Sequence, residues 1–284
     1  MTFLIGCAVW AYKDWVGELY PQGSKAAEFL TLYSQRFSTV EGNTTFYSVP
    51  NQETVRRWVS KMQPGFEFCP KLPRQLTHNG LLQPSITGAL EFLEQMQGFG
   101  KHLGPIFAQL PPSYQPAYLE DLAIFLSAWT QSGVPLAIEA RHPDWFKEPH
   151  ASQLNALLQQ MGIGRVLLDT RPAYSQPGSD GKPLEVRKPK LPLQPVVTAS
   201  FSLVRLISHP RQEINQSFMQ EWASLVDNWL RLGKRVYFFV HCPIEKYSPG
   251  NARYFQQLLE ERSAIVPPLP WNKIENFPTQ LSLF

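Results

Sequence analysis

Apolar positions in this chain recur with two rhythms. Short runs that are continuous or alternate every second residue read as strands: Leu4–Trp10, Thr39–Gly42, Phe66–Lys71, Leu103–Gln109, Leu136–Ala140, Arg165–Asp169, Ser200–Ile207 and Arg235–His241. Longer stretches with apolar residues three and four apart read as amphipathic helices: Lys25–Arg36, Gln52–Met62, Ser85–Gly98, Ala117–Gln131, Ala151–Met161, Ile214–Leu232 and Asn251–Arg262. The two kinds alternate, except that the sixth strand is followed by a Pro-, Gly- and Lys-rich stretch, 171–197, that reads as a long loop. Alternation of this kind predicts a parallel sheet, and eight repeats predict an α/β fold closed into a single (β/α)8 TIM-type barrel, its sixth helix short or missing. An open doubly wound sheet is the alternative. The expected division is a barrel over 1–266 and a proline-led tail over 267–284.

The polarity of the strand ends sharpens this picture. Leu136–Phe146 runs from apolar residues straight into Glu139, Arg141, His142, Asp144 and Trp145, as a strand does when it empties into a site-forming loop. Side chains alternate along a strand, so the last inward positions of strands two to eight are expected to be Glu41, Lys71, Gln109, Glu139, Asp169, Arg205 and His241. Their neighbours, among them Val40, Phe68, Ala108, Ile138, Val166, Leu168 and Val240, are expected to face the helices. Burying isolated charges costs several kcal/mol. Such a ring must therefore satisfy itself, as with Glu41–Lys71 and Glu139–Arg205 ion pairs, or bind a ligand or a metal. Barrels build chemistry at this end.

Composition changes little. The chain has 284 residues, 43% hydrophobic, with a formal net charge of +3, too mild on its own to imply nucleic acid. Three well-separated cysteines, Cys7, Cys69 and Cys242, suit a reduced interior without a zinc knuckle. The N-terminus has no signal-peptide pattern and no run is long enough to span a membrane, so a soluble cytoplasmic protein is expected.

Six blocks, VWAYKDWVGELYP, FSTVEGNTTFYSVPNQETVRRW, FEFCPKLPRQLTH, LGPIFAQLPPSY, EARHPDWF and LLDTRP, occur in order and resemble the YecE-like family, domain-of-unknown-function family 72. The resemblance implies a TIM barrel in a bacterial or archaeal cytoplasmic protein and no specific activity. The chain departs from the family pattern after strand seven, with Arg205-Leu206-Ile207-Ser208-His209 for Arg-Leu-His-Gly, and after strand eight, with His241-Cys242-Pro243.

Three functions are compatible with the ring. The first is hydrolysis of a phosphate-bearing, nucleic-acid or other, substrate. Glu41, Lys71, Glu139, Asp169 and Arg205 are the candidate catalytic groups. Trp10, Tyr12, Asn43, Gln109, Arg141, His142, Trp145, His241 and Arg253 are the candidate substrate contacts. A divalent metal on Glu41, Glu139 and Asp169 with His142, His209 or His241 would assist, and the helix start at Ser248–Asn251 with Arg253 offers an anion site. The second is carbohydrate chemistry by the Glu41–Glu139 pair, with Trp10, Tyr12, Trp15, Phe46, Tyr47 and Trp145 as a platform for a sugar ring. The same aromatics can stack nucleobases. The third is a non-catalytic DNA-metabolism factor. The last five residues, QLSLF, are similar to the sliding-clamp-binding pentapeptide, in which Gln280, Leu281, Leu283 and Phe284 would meet the clamp. Docking of these residues on the barrel is the alternative.

Overall fold

The computed structural model describes residues 2–178, 181–186, 188–262 and 266–271. Eight strands occur in order: β1 (Phe3–Cys7), β2 (Thr39–Gly42), β3 (Glu67–Pro70), β4 (Ile106–Gln109), β5 (Leu136–Glu139), β6 (Gly164–Asp169), β7 (Phe201–Ile207) and β8 (Arg235–His241). Among the described residues all pairings are parallel. One sheet runs from β4 through β8 and on to β1, and β2 pairs with β3. Single bridges, Phe68–Leu103 and Lys71–Phe107, join β3 to β4.

The β1–β2 seam closes the barrel largely without a ladder. Ile5 donates its N–H to Ser38 Oγ at 2.9 Å. The Tyr33 hydroxyl accepts from the Cys7 N–H at 2.6 Å and donates to the Thr39 carbonyl at 3.3 Å. One phenol thus replaces two missing sheet partners. Gly6 permits this approach, because a Cβ there would lie 1.8 Å from the Thr39 carbonyl oxygen.

Leu4, Cys69, Phe107, Ala137, Val166, Leu203, Tyr237 and Phe239 fill the barrel, and the opposite strand faces pack against the helices. This confirms the expected faces except in β6. There Val166 and Leu168 point inward, so Leu167 and Asp169 face the helix layer. The helix after β6 is short, Arg171–Ser175. The long segment that follows is pinned across the C-terminal mouth: Thr170 Oγ1 donates to the Pro189 carbonyl, Tyr174 Oη to the Lys188 carbonyl, and Gln194 Nε2 to the Phe146 carbonyl. The barrel's packing also passes the expected boundary at 266. Val266 and Leu269 are buried, and the Trp271 ring meets Phe37 edge-on at 5.6 Å. Among the described residues no helix is long and apolar enough to cross a membrane.

Tyr33→Phe leaves the buried Cys7 N–H without an acceptor. Chemical denaturation should show a loss of about 1–3 kcal/mol; an unchanged midpoint would mean that the phenol does not hold the seam.

Candidate functional site

Arg205, on β7, is fully buried in the barrel's upper layer. Its Nε donates to Glu41 Oε2 at 2.8 Å and its Nη2 to Glu41 Oε1 at 2.7 Å, while Nη1 donates to Glu139 Oε2. Glu41 also accepts from Asn43 Nδ2 at 2.7 Å and from His241 Nε2 at 2.9 Å. Glu139 accepts from Arg141 Nε at 2.6 Å. One guanidinium therefore ties β2, β5 and β7 together, and β8 joins through His241. The expected Glu41–Lys71 pair does not form: Lys71 Nζ instead donates to the Gln109 amide oxygen at 2.8 Å and lies 3.9 Å from the Phe46 ring centroid.

The charge states follow. Burial opposes ionisation of Glu41, but Arg205 and then His241 hold it well below the usual carboxylate range. Burial opposes ionisation of Glu139 too, yet Arg141, Arg205 and Lys71 take it down to about 2. Burial resists charge on Arg205, and the two carboxylates overcome this and raise it. Burial, then the neighbouring Arg205, pulls Lys71 down to about 7. Burial pulls His241 down to about 4 against the charge of Glu41. His241 is thus neutral. Because a carboxylate only accepts, its proton sits on Nε2 and Nδ1 carries the lone pair.

Two groups that sequence reasoning missed complete the mouth. Lys188 comes from the long segment after β6. Burial and Arg205 lower it to about 8, and among the described residues no carboxylate pairs with it. Glu245, after β8, is raised to about 8 by burial and then, among its neighbours, by the charge of Glu41; its Oε1 is buried without a protein donor. Loops carry no periodicity, and the only signal was lysine enrichment in 171–197. Lys188, His241, Glu245 and Asn43 line an open cavity of about 1230 Å³ above the strand ends.

Other expected residues lie elsewhere. Asp169 faces outward, accepting from Arg171 Nη2 at 2.9 Å and Trp222 Nε1 at 2.8 Å, and is not part of the ring. Trp145 is fully buried and donates to the Tyr114 carbonyl at 2.8 Å, so it offers no platform. Trp10 is buried edge-on against Trp58 and Phe68 in the helix layer. Tyr12 packs on Trp15, and His142 Nδ1 accepts the Asp144 N–H that starts a short turn. Arg253 covers Trp271, which lines the cavity, without lining it itself. His209 is buried, with Nδ1 accepting from the Arg211 N–H. The metal set is therefore dispersed. Among the described residues no three His, Cys, Asp or Glu side chains are arranged to hold an ion, and a cation at Glu41 or Glu139 would first have to displace Arg205. Gln280, Leu281, Leu283 and Phe284 lie outside the described residues.

Arg205→Met removes the cation shared by two buried carboxylates, leaving Glu139 to Arg141 and Glu41 to neutral donors, and should lower stability by about 3–5 kcal/mol, read by denaturant titration. The pH dependence has a definite sign. A histidine near 4 when folded and 6.5 when unfolded costs stability as pH falls from 6.5 to 4. Glu139, about 2 folded against 4.5 unfolded, extends the loss below pH 4.5. Glu245, raised to about 8, acts with the opposite sign between pH 8 and 4.5, so the histidine is read by difference: the wild type should lose thermal midpoint relative to His241→Asn as pH falls from 6.5 to 4, and a pH-independent difference would contradict the assignment.

A family model described as "Protein of unknown function DUF72" matches residues 4–274. The chain is 30% identical over 283 residues to UPF0759 protein YecE of Escherichia coli strain K12, covering 99% of each. The crystal structure of a DUF72 family protein from Thermotoga maritima superposes with a TM-score of 0.67 at 21% identity, covering 92% of this chain and 100% of that one. One from Enterococcus faecalis superposes with a TM-score of 0.64 at 17% identity, covering 91% and 94%. These two likenesses speak for the fold. The ordered blocks, the barrel and the match along the whole chain together make this protein a member of the DUF72 family.

Proposed function

We propose that the protein binds a phosphate-bearing substrate at the barrel mouth and hydrolyses its phosphoester. The observation that carries this reading is the charge balance around Arg205. Among the described residues Lys71, Arg141, Lys188 and Arg205 gather around two ionised carboxylates, Glu41 and Glu139, and Arg141 Nη2 is buried without a protein acceptor. A buried donor without a partner is costly, and a phosphate oxygen is a good acceptor for guanidinium and ammonium groups.

The chemistry needs a base for water and an acid for the leaving oxygen. Neutral His241, oriented by Glu41, presents Nδ1 as the base, in the arrangement by which a carboxylate orients a catalytic histidine. Glu245, protonated at neutral pH and lining the same cavity, supplies the acid. A bound dianion raises the pKa of His241 toward neutrality and recharges Lys71 and Lys188. The paired-carboxylate glycosidase reading has less support. Arg205 holds both Glu41 and Glu139 ionised, so neither carries the proton that a glycosidic oxygen needs.

Sulfate tests binding without a titrating ligand. Calorimetry should show affinity at least about tenfold tighter near pH 6 than near pH 8.5, because binding protonates Lys71 and Lys188. Lys188→Met should weaken it about tenfold while the protein stays folded. His241→Asn should reduce phosphate release from phosphomonoesters by about a hundredfold or more. No sulfate or phosphate binding at about 10 mM would overturn the reading.

A further inference from the structure

Phe46 stands between the buried Lys71 ammonium and a cavity. Its ring meets the Lys71 ammonium at 3.9 Å, and it also lines a second cavity of about 420 Å³ between the loops after β2 and β3. That cavity is walled by Phe46, Tyr47, Val49, Arg74, His78 and Asn79, among others. Its volume lies within the usual range for small-molecule sites. Tyr47 and His78 each meet Phe46 edge-on, at 5.2 and 5.3 Å between centroids. Tyr47 is 81% exposed, a large aromatic face left in solvent at the rim of a pocket.

The chemistry of the wall narrows its occupant. Among the described residues no carboxylate lines it, and the one cation is Arg74. His78 is neutral, its pKa taken down to about 4 by burial and by the charges of Arg74, Lys71 and Arg141, which places it beside the cationic cluster of the mouth. Its Nδ1 is engaged with Thr77 Oγ1 at 2.8 Å, leaving Nε2. Asn79 donates Nδ2 to the Gln75 carbonyl at 3.0 Å, leaving its amide oxygen as an acceptor. A flat aromatic surface flanked by neutral donors and acceptors suits a nucleobase, which stacks through its face and hydrogen-bonds through its edge.

We propose that this cavity is the base subsite of a nucleoside phosphate whose phosphate lies at Lys71 and Arg141. The substrate class of the mouth is then a nucleotide or a single-stranded nucleic-acid end. This rests on the phosphate reading of the mouth, with Phe46 as the wall shared by the two halves of the ligand.

Calorimetry on the full chain separates the two. Ribose 5-phosphate reports the mouth alone, adenosine the ring subsite alone, and adenosine 5′-monophosphate both. The monophosphate should bind at least tenfold more tightly than ribose 5-phosphate. Tyr47→Ala, at an exposed position that leaves the core intact, should abolish that gain and change ribose 5-phosphate affinity less than twofold. Tyr47→Phe should retain the gain. Equal affinities in the wild type, or a gain that survives Tyr47→Ala, would overturn the base subsite while leaving the phosphate reading in place. Failure of ribose 5-phosphate to bind, with Tyr47-dependent binding of adenosine, would instead overturn the phosphate reading and retain the ring subsite. Loss of both would overturn both.

Discussion

The upper layer of this barrel depends on burying one guanidinium. Arg205 is removed from water at a cost of several kcal/mol, and that cost is offset only because Glu41 and Glu139 reach it from β2 and β5 with good hydrogen-bond geometry. The same arrangement sets everything around it. Both carboxylates are fixed in the ionised state and are already occupied. Glu41 has acceptor capacity left for His241 and Asn43, which orients the histidine. Lys71, with only an amide partner, is weakened in its charge by burial and then by its positive neighbour. Lys188 completes a positive rim from outside the strands. In the proposed phosphate reading, this ion-pair lattice becomes a field that favours an anion at the mouth.

The legible part of this arrangement was the part with a period. In β2, β5, β7 and β8 a polar residue follows alternating inward positions, so Glu41, Glu139, Arg205 and His241 were readable from the strand pattern, as were Lys71 and Gln109 at the ends of β3 and β4. The strand β6 was misread because Val166-Leu167-Leu168 is apolar on both faces and so contains no phase. Asp169 takes its direction from partners that the local sequence does not reveal: Arg171 two residues on, and Trp222 on the helix Gln212–Arg231. Trp145 was misread for a related reason. An aromatic in a polar loop looks available, but the Tyr114 carbonyl satisfies its indole N–H and the ring goes into the core. The partition of acids among cations was not legible either, since which carboxylate meets which cation depends on side-chain reach across the barrel.

The fold also explains why the two cavities are separate. The four-residue helix Thr44–Tyr47 stands between them. Just before it, Asn43 lines the large cavity and holds Glu41, while Phe46 and Tyr47 within it line the smaller one. Membership in the DUF72 family supplies the barrel; the chemistry assigned to it here comes from the side chains at the strand ends.

The most direct test of the account is the protonation of Lys71 itself. Carbon-13 NMR of the lysine Cε resonances, with Lys71→Met to assign the signal, should show this amine titrating near 7 in the free protein and moving up by more than one unit when phosphate is added. An amine that titrates near the ordinary value of 10.5 with and without phosphate would contradict the claim that Arg205 and burial leave the mouth waiting for an anion.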